Sequence, residues 1–359
     1  MMLADASGCG EPTTLRMIAG LEDIPCVWAA TFKTARSHDE GFLFAMRFCF
    51  CFCAQELNPE RHNVSLNPLP LTAAGISELG EGPVWDDRNQ CFYWVDINPG
   101  RIHEFDPAST SQRTWELDST VGFAVPTLDS SHWLIGKGTS VVSLDVATGV
   151  STDLVTLNHD ASMRCNDGKC DPTGRLWAGV MPSDWGAMTG SLYSMTGGND
   201  VRHRLGEIGC SNGLAWDQKK ERFYYIDSLK HRIDHFHWNA DSGDIRFART
   251  LAKFTDEDGL PDGMCIDTEG QLWVAFWNGE CVRRIDTESG DRISQIDLPA
   301  RQITSCCFGG PNLDTLYITS AWAGLSEADR KSQPLAGSVF TVKPGVHGLP
   351  VDRFDRSVK

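Results

Sequence analysis

The sequence predicts an all-β fold, a six-bladed β-propeller that follows a short N-terminal extension. A unit made of a short apolar strand, an Asp or Gly turn and an aromatic strand recurs six times, with starts about 42 to 50 residues apart. That spacing is typical of one four-stranded propeller blade. No amphipathic helical pattern of useful length separates the repeats, which argues against a parallel sheet with crossover helices.

The repeats can be aligned in chain order at their first strands. These strands begin near Glu81, Ala124, Asn166, Asn212, Asp262 and Thr304. Each repeat then adds an outer pair of strands, such as residues 101–106 in the first repeat and 281–286 in the fifth. Gly-containing turns close these outer pairs. We also expect a strand between about residues 64 and 76 to pair with the C-terminal strands, because closing the ring in this way removes a free sheet edge.

The first part of the chain has a different character, and we divide the chain into an extension, residues 1–69, and a propeller domain, residues 70–359. Residues 7–24 resemble the phosphate-binding loop and following helix of ABC transporter ATPases. However, Glu11 and Pro12 stand where that loop has its Lys and its Ser or Thr. Glu11 would repel phosphate and Pro12 lacks a backbone donor. We therefore expect no ATP binding, and interpret the extension as a poorly ordered leader or a start codon assigned too early.

Charge and composition argue against several classes of partner. A net charge of -16 over 359 residues would repel nucleic acid and an anionic membrane surface. No apolar run reaches the roughly 18 to 20 residues that span a bilayer. The 13 cysteines cannot all form pairs, and scattered thiols are typical of a cytoplasmic protein.

Four of the six repeat starts carry an oxygen-rich side chain close to a glycine, and these residues are Glu81, Asn166, Asn212 and Asp262. Because equivalent positions of propeller blades converge on the central axis, we expect the four side chains to meet there. Two carboxylates would repel each other unless a cation joined them. Oxygen ligands suit Ca²⁺, Mg²⁺ or Mn²⁺, with Zn²⁺ or Fe²⁺ as further possibilities. The alternative is that they only form turns, but their repeated placement favours one divalent metal ion.

The segments around these residues resemble the senescence marker protein/gluconolactonase family, also called the regucalcin family. The resemblance spans about Leu79 to Phe340 and rests on several motifs in the right order. They lie at residues 79–85, 164–169, 211–216, 261–263, 304–310 and 316–321. The resemblance implies a six-bladed propeller and the hydrolysis of a sugar lactone (an aldono-1,4- or 1,5-lactone) in sugar catabolism.

The resemblance also implies roles for individual residues. Glu81, Asn212 and Asp262 would be the metal ligands, and Asp262 would also be the catalytic general base. Arg164 and Asn166 would bind the substrate. The metal ion would polarise the lactone carbonyl while Asp262 takes a proton from the attacking water. A hydroxide on the metal is the alternative nucleophile, and the sequence leaves this choice open.

Two other functions stay open at this point. One is a calcium-binding propeller without turnover, which a substrate-contacting Arg164 argues against. The other is a hydrolase of bulkier esters or phosphoesters, whose sites in related propellers carry a catalytic His that no repeat start supplies here. Trp185, Trp277 and Trp322 are candidates for apolar walls around a sugar ring, with packing between blades as the alternative role.

Overall fold

The structure, a computed structural model, describes residues 66–358 and two short strands nearer the N-terminus. The chain divides into two units, Met1–His62 and Asn63–Lys359. In the first unit, the described residues form an antiparallel pair, β1 (Thr14–Arg16) and β2 (Ala29–Thr31). The rest of the extension, with Glu11 and Pro12, lies outside the described residues. The poorly ordered leader, the missing ATP binding and the boundary at residue 69 therefore stay predictions.

The second unit is built mainly from antiparallel strands, and four consecutive sheets have four strands each. We call the four-stranded sets groups and number them in chain order. The first group contains β4 (Gly80–Asp86), β5 (Cys91–Asp96), β6 (Arg101–Asp106) and β7 (Ser111–Glu116). The second contains β8 (Val121–Pro126), β9 (His132–Lys137), β10 (Ser140–Asp145) and β11 (Ser151–Thr156). The third contains β12 (Met163–Cys170), β13 (Leu176–Pro182), β14 (Gly190–Met195) and β15 (Val201–Ile208). The fourth contains β16 (Ser211–Asp217), β17 (Arg222–Asp227), β18 (Arg232–Trp238) and β19 (Ile245–Lys253).

The remaining strands form one larger sheet that consists of two further groups. The fifth group contains β20 (Leu260–Ile266), β21 (Leu272–Trp277), β22 (Cys281–Ile285) and β23 (Arg292–Asp297). The sixth contains β24 (Gln302–Gly309), β25 (Thr315–Ala321), β26 (Phe340–Val342) and β3 (Leu69–Pro70). A single residue pair, Trp277 with Gln302, joins the two groups into one sheet.

The sixth group combines strands from both ends of this unit. β3 pairs antiparallel with β26, and Ile76 forms a separate bridge to Ser338. This confirms the expected pairing of an N-terminal strand with the C-terminal strands. Pro70 lies in the outermost strand, where the missing backbone N–H breaks no ladder on the outer side.

Helices contribute little to the part of the chain that the structure describes. The α-helix α1 (Glu327–Ser332) lies between β25 and β26, and its N-cap Ser326 accepts a hydrogen bond from the Asp329 backbone N–H. Short 3-10 turns occur at Thr72–Ala74, Ser228–Lys230 and Asp256–Asp258. None of the described helices is both long and apolar enough for a membrane crossing.

The hydrophobic core lies between the groups rather than within one sheet. Among the described residues, six buried apolar clusters occur, and each joins neighbouring groups, including the sixth to the first. The first strand of each group contacts the first strand of the next, and β24 contacts β4. The predicted β fold is thus confirmed as a propeller-like ring whose first strands surround the centre.

One end of this ring is covered by the C-terminal segment. Phe354 is buried, pairs with Thr127 and donates its backbone N–H to Pro126 at the end of β8. Gly348 forms a bridge with Asp267 after β20. A cavity of about 600 Å³ beneath this segment is lined in part by Lys169, Leu349 and Val351. The predicted site residues lie toward the opposite end of the first strands, so we expect a ligand to enter from that side.

Candidate metal and substrate site

The first strand of every group is interrupted by a shift in its pairing register near its beginning. The shifts fall between Glu81 and Val84, Val121 and Phe123, Cys165 and Gly168, Asn212 and Leu214, Pro261 and Met264, and Ile303 and Ser305. A β-bulge inserts an extra residue, bends the strand and redirects side chains, often beside an active site. The repeated shift therefore explains why equivalent positions of different groups supply residues to one site.

Two glycines at these bulges have different physical roles. Gly82 has φ +49°, a left-handed conformation that glycine adopts without steric cost. Gly263 is needed for a close approach, because a Cβ there would overlap the Ser305 side chain of the neighbouring first strand. At Gly263, the absent side chain thus allows two inner strands to pack closely, a role that the turn motif did not reveal.

Hydrogen bonds bring three of the predicted residues together. Arg164 Nη1 donates to Asn166 Oδ1 at 2.6 Å and to the Cys165 carbonyl at 2.9 Å. Asn166 Nδ2 in turn donates to Asn212 Oδ1 at 2.8 Å and to the Ser211 carbonyl at 2.7 Å. Arg164, Asn166 and Asn212 are all buried. The third and fourth groups therefore share a continuous polar network.

The two predicted carboxylates complete this cluster. Burial, followed by repulsion from the Asp167 carboxylate, raises the pKa of Glu81 to about 8. Burial, followed by repulsion from Glu81 and Asp167, raises the pKa of Asp262 well above its usual value. The positive charge of Arg164 acts on both carboxyl groups in the opposite direction. The structure thus places all five predicted residues in one buried cluster, in which the carboxyl groups disfavour ionisation.

Asp167 is a further member of the cluster that the sequence argument did not assign. It is buried, and burial raises its pKa while Lys169 acts against this rise. In a regular strand, Asn166 and Asp167 would point to opposite faces. The register shift between Cys165 and Gly168 changes this alternation. The sequence did contain one signal for this role. Asp167 is an acidic residue next to Asn166, in a Gly motif that recurs at the same place in several repeats.

One atom of the cluster tests whether these residues fit a cation. Asp262 Oδ1 is buried and has no hydrogen-bond partner among the described residues, whereas Glu81 Oε2 accepts the Gly82 backbone N–H at 2.8 Å. A buried carboxylate oxygen without a partner is costly, and a divalent cation bound by oxygen ligands removes that cost. No group of three His, Cys, Asp or Glu side chains suited to a metal ion occurs in the described ranges. The residues that would hold the cation are the two carboxylates with the amide of Asn212, and this ligand set stays a prediction.

The metal-free protein should become less stable as the pH rises toward 8. Folding raises the pKa of the Glu81 carboxyl from its ordinary value of 4.5 to about 8, so the folded state binds this proton more tightly than the unfolded state. The stabilising contribution is complete below pH 4.5 and is lost as the pH passes through 8. Melting temperatures of chelator-treated protein between about pH 5 and pH 9 measure the effect. Glu81→Gln should flatten the decline, and an equal decline in both proteins would contradict this account.

Two of the three candidate tryptophans meet near the start of β20. Trp277 of β21 pairs with Leu260 of β20, and Leu260 lies two residues before Asp262 in the chain. Trp185, which follows β13, is 42% exposed, and its ring centroid lies 6.0 Å from that of Trp277. Trp322 instead has the Arg330 guanidinium 3.7 Å from its ring centroid. Trp185 and Trp277 therefore form an aromatic surface that links the third and fifth groups on the side of the site.

Comparison with known proteins identifies relatives of this chain. Residues 79–322 match the family model described as SMP-30/Gluconolactonase/LRE-like region. The chain is 37% identical over 277 residues to regucalcin from Danio rerio, covering 76% of this chain and 94% of that protein. It is 36% identical over 274 residues to "Putative sugar lactone lactonase YvrE" from Bacillus subtilis (strain 168), covering 76% and 94%.

A solved structure shows the same fold. The crystal structure of a calcium-binding protein, regucalcin, from Agrobacterium tumefaciens matches with a TM-score of 0.76 and 26% identity, covering 81% of this chain and 98% of that one. The family match includes every residue of the cluster from Glu81 to Asp262. This chain is therefore a member of the SMP-30/gluconolactonase/LRE-like family.

Proposed function

We propose that this protein hydrolyses a sugar lactone to the corresponding aldonic acid with one divalent metal ion. The observation that carries the proposal is the unpartnered, buried Oδ1 of Asp262 in a cluster with a second carboxylate, Glu81. Asn212 supplies the third ligand. The presence of a buried arginine, Arg164, beside this cluster adds a group suited to substrate oxygens. The relative from Bacillus subtilis bears a lactonase name, which supports the same reaction class.

The proposed site depends on a specific architecture. We propose that the six groups are the blades of a six-bladed β-propeller, because successive first strands contact one another and β24 returns to β4.

The described cysteines, which number eight, are all free thiols. This supports the proposed cytoplasmic location, where disulfides are rare.

The residues of the cluster have separate tasks in the proposed mechanism. A divalent ion at Glu81, Asn212 and Asp262 would polarise the lactone carbonyl and favour the charge that develops on its oxygen. Asp262 takes the proton from the attacking water as general base. Burial keeps bulk water from competing for this carboxylate, while a bound cation would favour its ionised form. When the bond between the acyl carbon and the ring oxygen breaks, Asp262 returns this proton to the departing oxygen, which becomes a hydroxyl of the aldonic acid.

Arg164 and Asn166 orient the substrate. A guanidinium has five N–H donors in a planar fork, and Arg164 donates from Nη1 to the side-chain oxygen Oδ1 of Asn166. We assign the other donors to the hydroxyl and ring oxygens of the lactone. Trp185 and Trp277 would provide the apolar surface on which a sugar ring packs. We propose no partner other than this small molecule. The net charge of -16 argues against binding of nucleic acid and of anionic membranes, and the replacement of the phosphate-binding residues by Glu11 and Pro12 argues against binding of ATP.

A substrate panel tests the reaction class. Purified protein with Ca²⁺, Mg²⁺, Mn²⁺, Zn²⁺ or Fe²⁺ is given glucono-, arabino-, xylono- and galactono-lactones, and acid release is followed with a pH indicator after subtraction of spontaneous hydrolysis. Aryl esters and phosphotriesters are the comparison substrates. We expect the highest kcat/KM on an aldonolactone. Turnover of bulky esters alone would favour the ester hydrolase alternative, and metal binding without turnover would favour a calcium-binding role.

A further inference from the structure

We propose that Ser228 is a positioning residue that orients the Asn212 amide and ties it to the segment carrying Asp262, so that both present oxygen to the metal ion. This inference rests on the proposed metal site. Ser228 lies at the start of the Ser228–Lys230 turn after β17 and is 2% exposed. It belongs to the fourth group, whereas Asp262 belongs to the fifth. The serine thus lies at the junction between two of the strands that supply ligands.

The hydroxyl of Ser228 makes two hydrogen bonds with defined directions. It donates to the Pro261 carbonyl at 2.7 Å, and it accepts from Asn212 Nδ2 at 2.8 Å. A carbonyl oxygen can only accept, so the single hydroxyl hydrogen is committed to Pro261. The atom of Asn212 that faces Ser228 must therefore be the donor, the NH₂ group. This assignment follows from the hydrogen-bond chemistry and fixes the orientation of the amide.

Two other contacts require the same orientation. Asn212 Nδ2 also lies 3.4 Å from Cys210 Sγ, which accepts its second hydrogen. Asn212 Oδ1, on the other side, accepts from Asn166 Nδ2 at 2.8 Å. Both amide hydrogens are thus used away from the carboxylate cluster, and the carbonyl oxygen keeps a lone pair for a cation.

Ser228 also links the two ligands through the backbone. Pro261, whose carbonyl accepts the hydroxyl, immediately precedes Asp262, and the register shift of β20 lies between Pro261 and Met264. One buried hydroxyl therefore restrains both the Asp262 backbone and the Asn212 side chain. Loss of that hydroxyl removes the shorter of the two hydrogen bonds that the Asn212 N–H₂ group donates. The contacts with Cys210 and Asn166 then hold the amide less firmly, so its carbonyl oxygen is less well oriented toward the cation.

Calorimetric titration of metal-stripped protein with CaCl₂ tests the inference without relying on activity. Partners of metal ligands typically contribute about 10–100-fold to metal affinity, so Ser228→Ala should weaken Ca²⁺ binding about tenfold or more. Ser194→Ala is the matched control. Ser194 is also 2% exposed, and its hydroxyl accepts from Arg204 Nε at 2.7 Å in the outer part of the third group. This control should bind Ca²⁺ as the wild type does, even if its melting temperature falls.

The isosteric pair Ser228→Thr and Ser228→Val separates positioning from packing. Only Thr retains a hydroxyl, so Thr should bind Ca²⁺ more tightly than Val even if both variants are less stable. The comparison of the Thr and Val variants also tests the role of the Ser228 hydroxyl if Ser228→Ala does not fold. Wild-type affinity in Ser228→Ala, or equal affinities of the Thr and Val variants, would overturn the role of Ser228 while leaving the metal site intact. If the wild type does not bind Ca²⁺, the same variants are titrated with Mg²⁺, Mn²⁺ and Zn²⁺. Failure of the wild type to bind any of these four ions would instead remove the proposed metal site, and this inference with it.

Discussion

Asp262→Asn is expected to lower kcat/KM for the preferred lactone by about a thousandfold or more. The substitution keeps the size of the side chain but removes its negative charge and its ability to accept a proton. General base catalysis alone contributes about 10²–10⁴-fold, so the loss should persist when the metal site is saturated. Initial rates of acid release at saturating metal concentration measure the effect. Because burial and two neighbouring carboxylates already disfavour the charge of Asp262, the metal-free variant should be no less stable than the metal-free wild type.

Asp171→Asn is the matched control for Asp262→Asn. Asp171 is equally a buried aspartate, but it follows the other end of β12 and accepts the Trp177 indole N–H at 3.0 Å. Its replacement should change the melting temperature with little effect on kcat/KM. A similar loss of activity in both variants would show that the effect of Asp262→Asn is a general consequence of changing a buried carboxylate. Retention of most activity by Asp262→Asn would remove the proposed base.

Arg164→Lys is expected to lower kcat/KM about 10–100-fold. Lysine keeps the positive charge but loses the planar fork, and it cannot hold Asn166 Oδ1 and substrate oxygens together. Hydrogen bonds to charged groups contribute about 1.5–3 kcal/mol each, which corresponds to this range. Saturation kinetics should show a higher KM, because the missing contacts bind substrate.

Arg175→Lys provides the control for a buried guanidinium. Arg175 is 4% exposed, and its Nη1 donates to the Ala240 carbonyl at 2.7 Å, away from the carboxylate cluster. We expect this variant to lose stability while its KM stays unchanged. An unchanged KM in Arg164→Lys would contradict the assignment of Arg164 to the substrate.

The fold could be predicted in large part because its pattern is repeated. Each copy carries the same alternation of apolar, turn and aromatic residues, so six weak local signals reinforce one another. The expected closing strand between residues 64 and 76 is found as Leu69–Pro70 against Phe340–Val342. The meeting of Glu81, Asn212 and Asp262 in one cluster could be predicted for the same reason, since they occupy equivalent places in different repeats. Their roles as metal ligands rest on the family resemblance and stay predictions.

The missed residues depend on tertiary contacts that a local pattern does not contain. Asp167 joins the cluster through a register shift in β12, and the sequence of a strand does not show where its pairing shifts. Ser228 follows β17, 16 residues after Asn212 and 33 residues before Pro261. Ser228 does not belong to any of the repeated Gly motifs. The sequence pattern therefore did not indicate its contacts with the strands that carry Asn212 and Asp262.

Metal add-back to chelator-treated protein tests the central claim most directly. The metal content is first measured by elemental analysis, and hydrolysis of the preferred aldonolactone is then followed before and after stepwise addition of a divalent ion. The proposed site predicts negligible turnover in the stripped protein and recovery that is complete at one ion per chain. Asp262→Asn should show no such recovery at the same ion concentration. Full turnover by protein shown to contain no divalent metal would contradict the account.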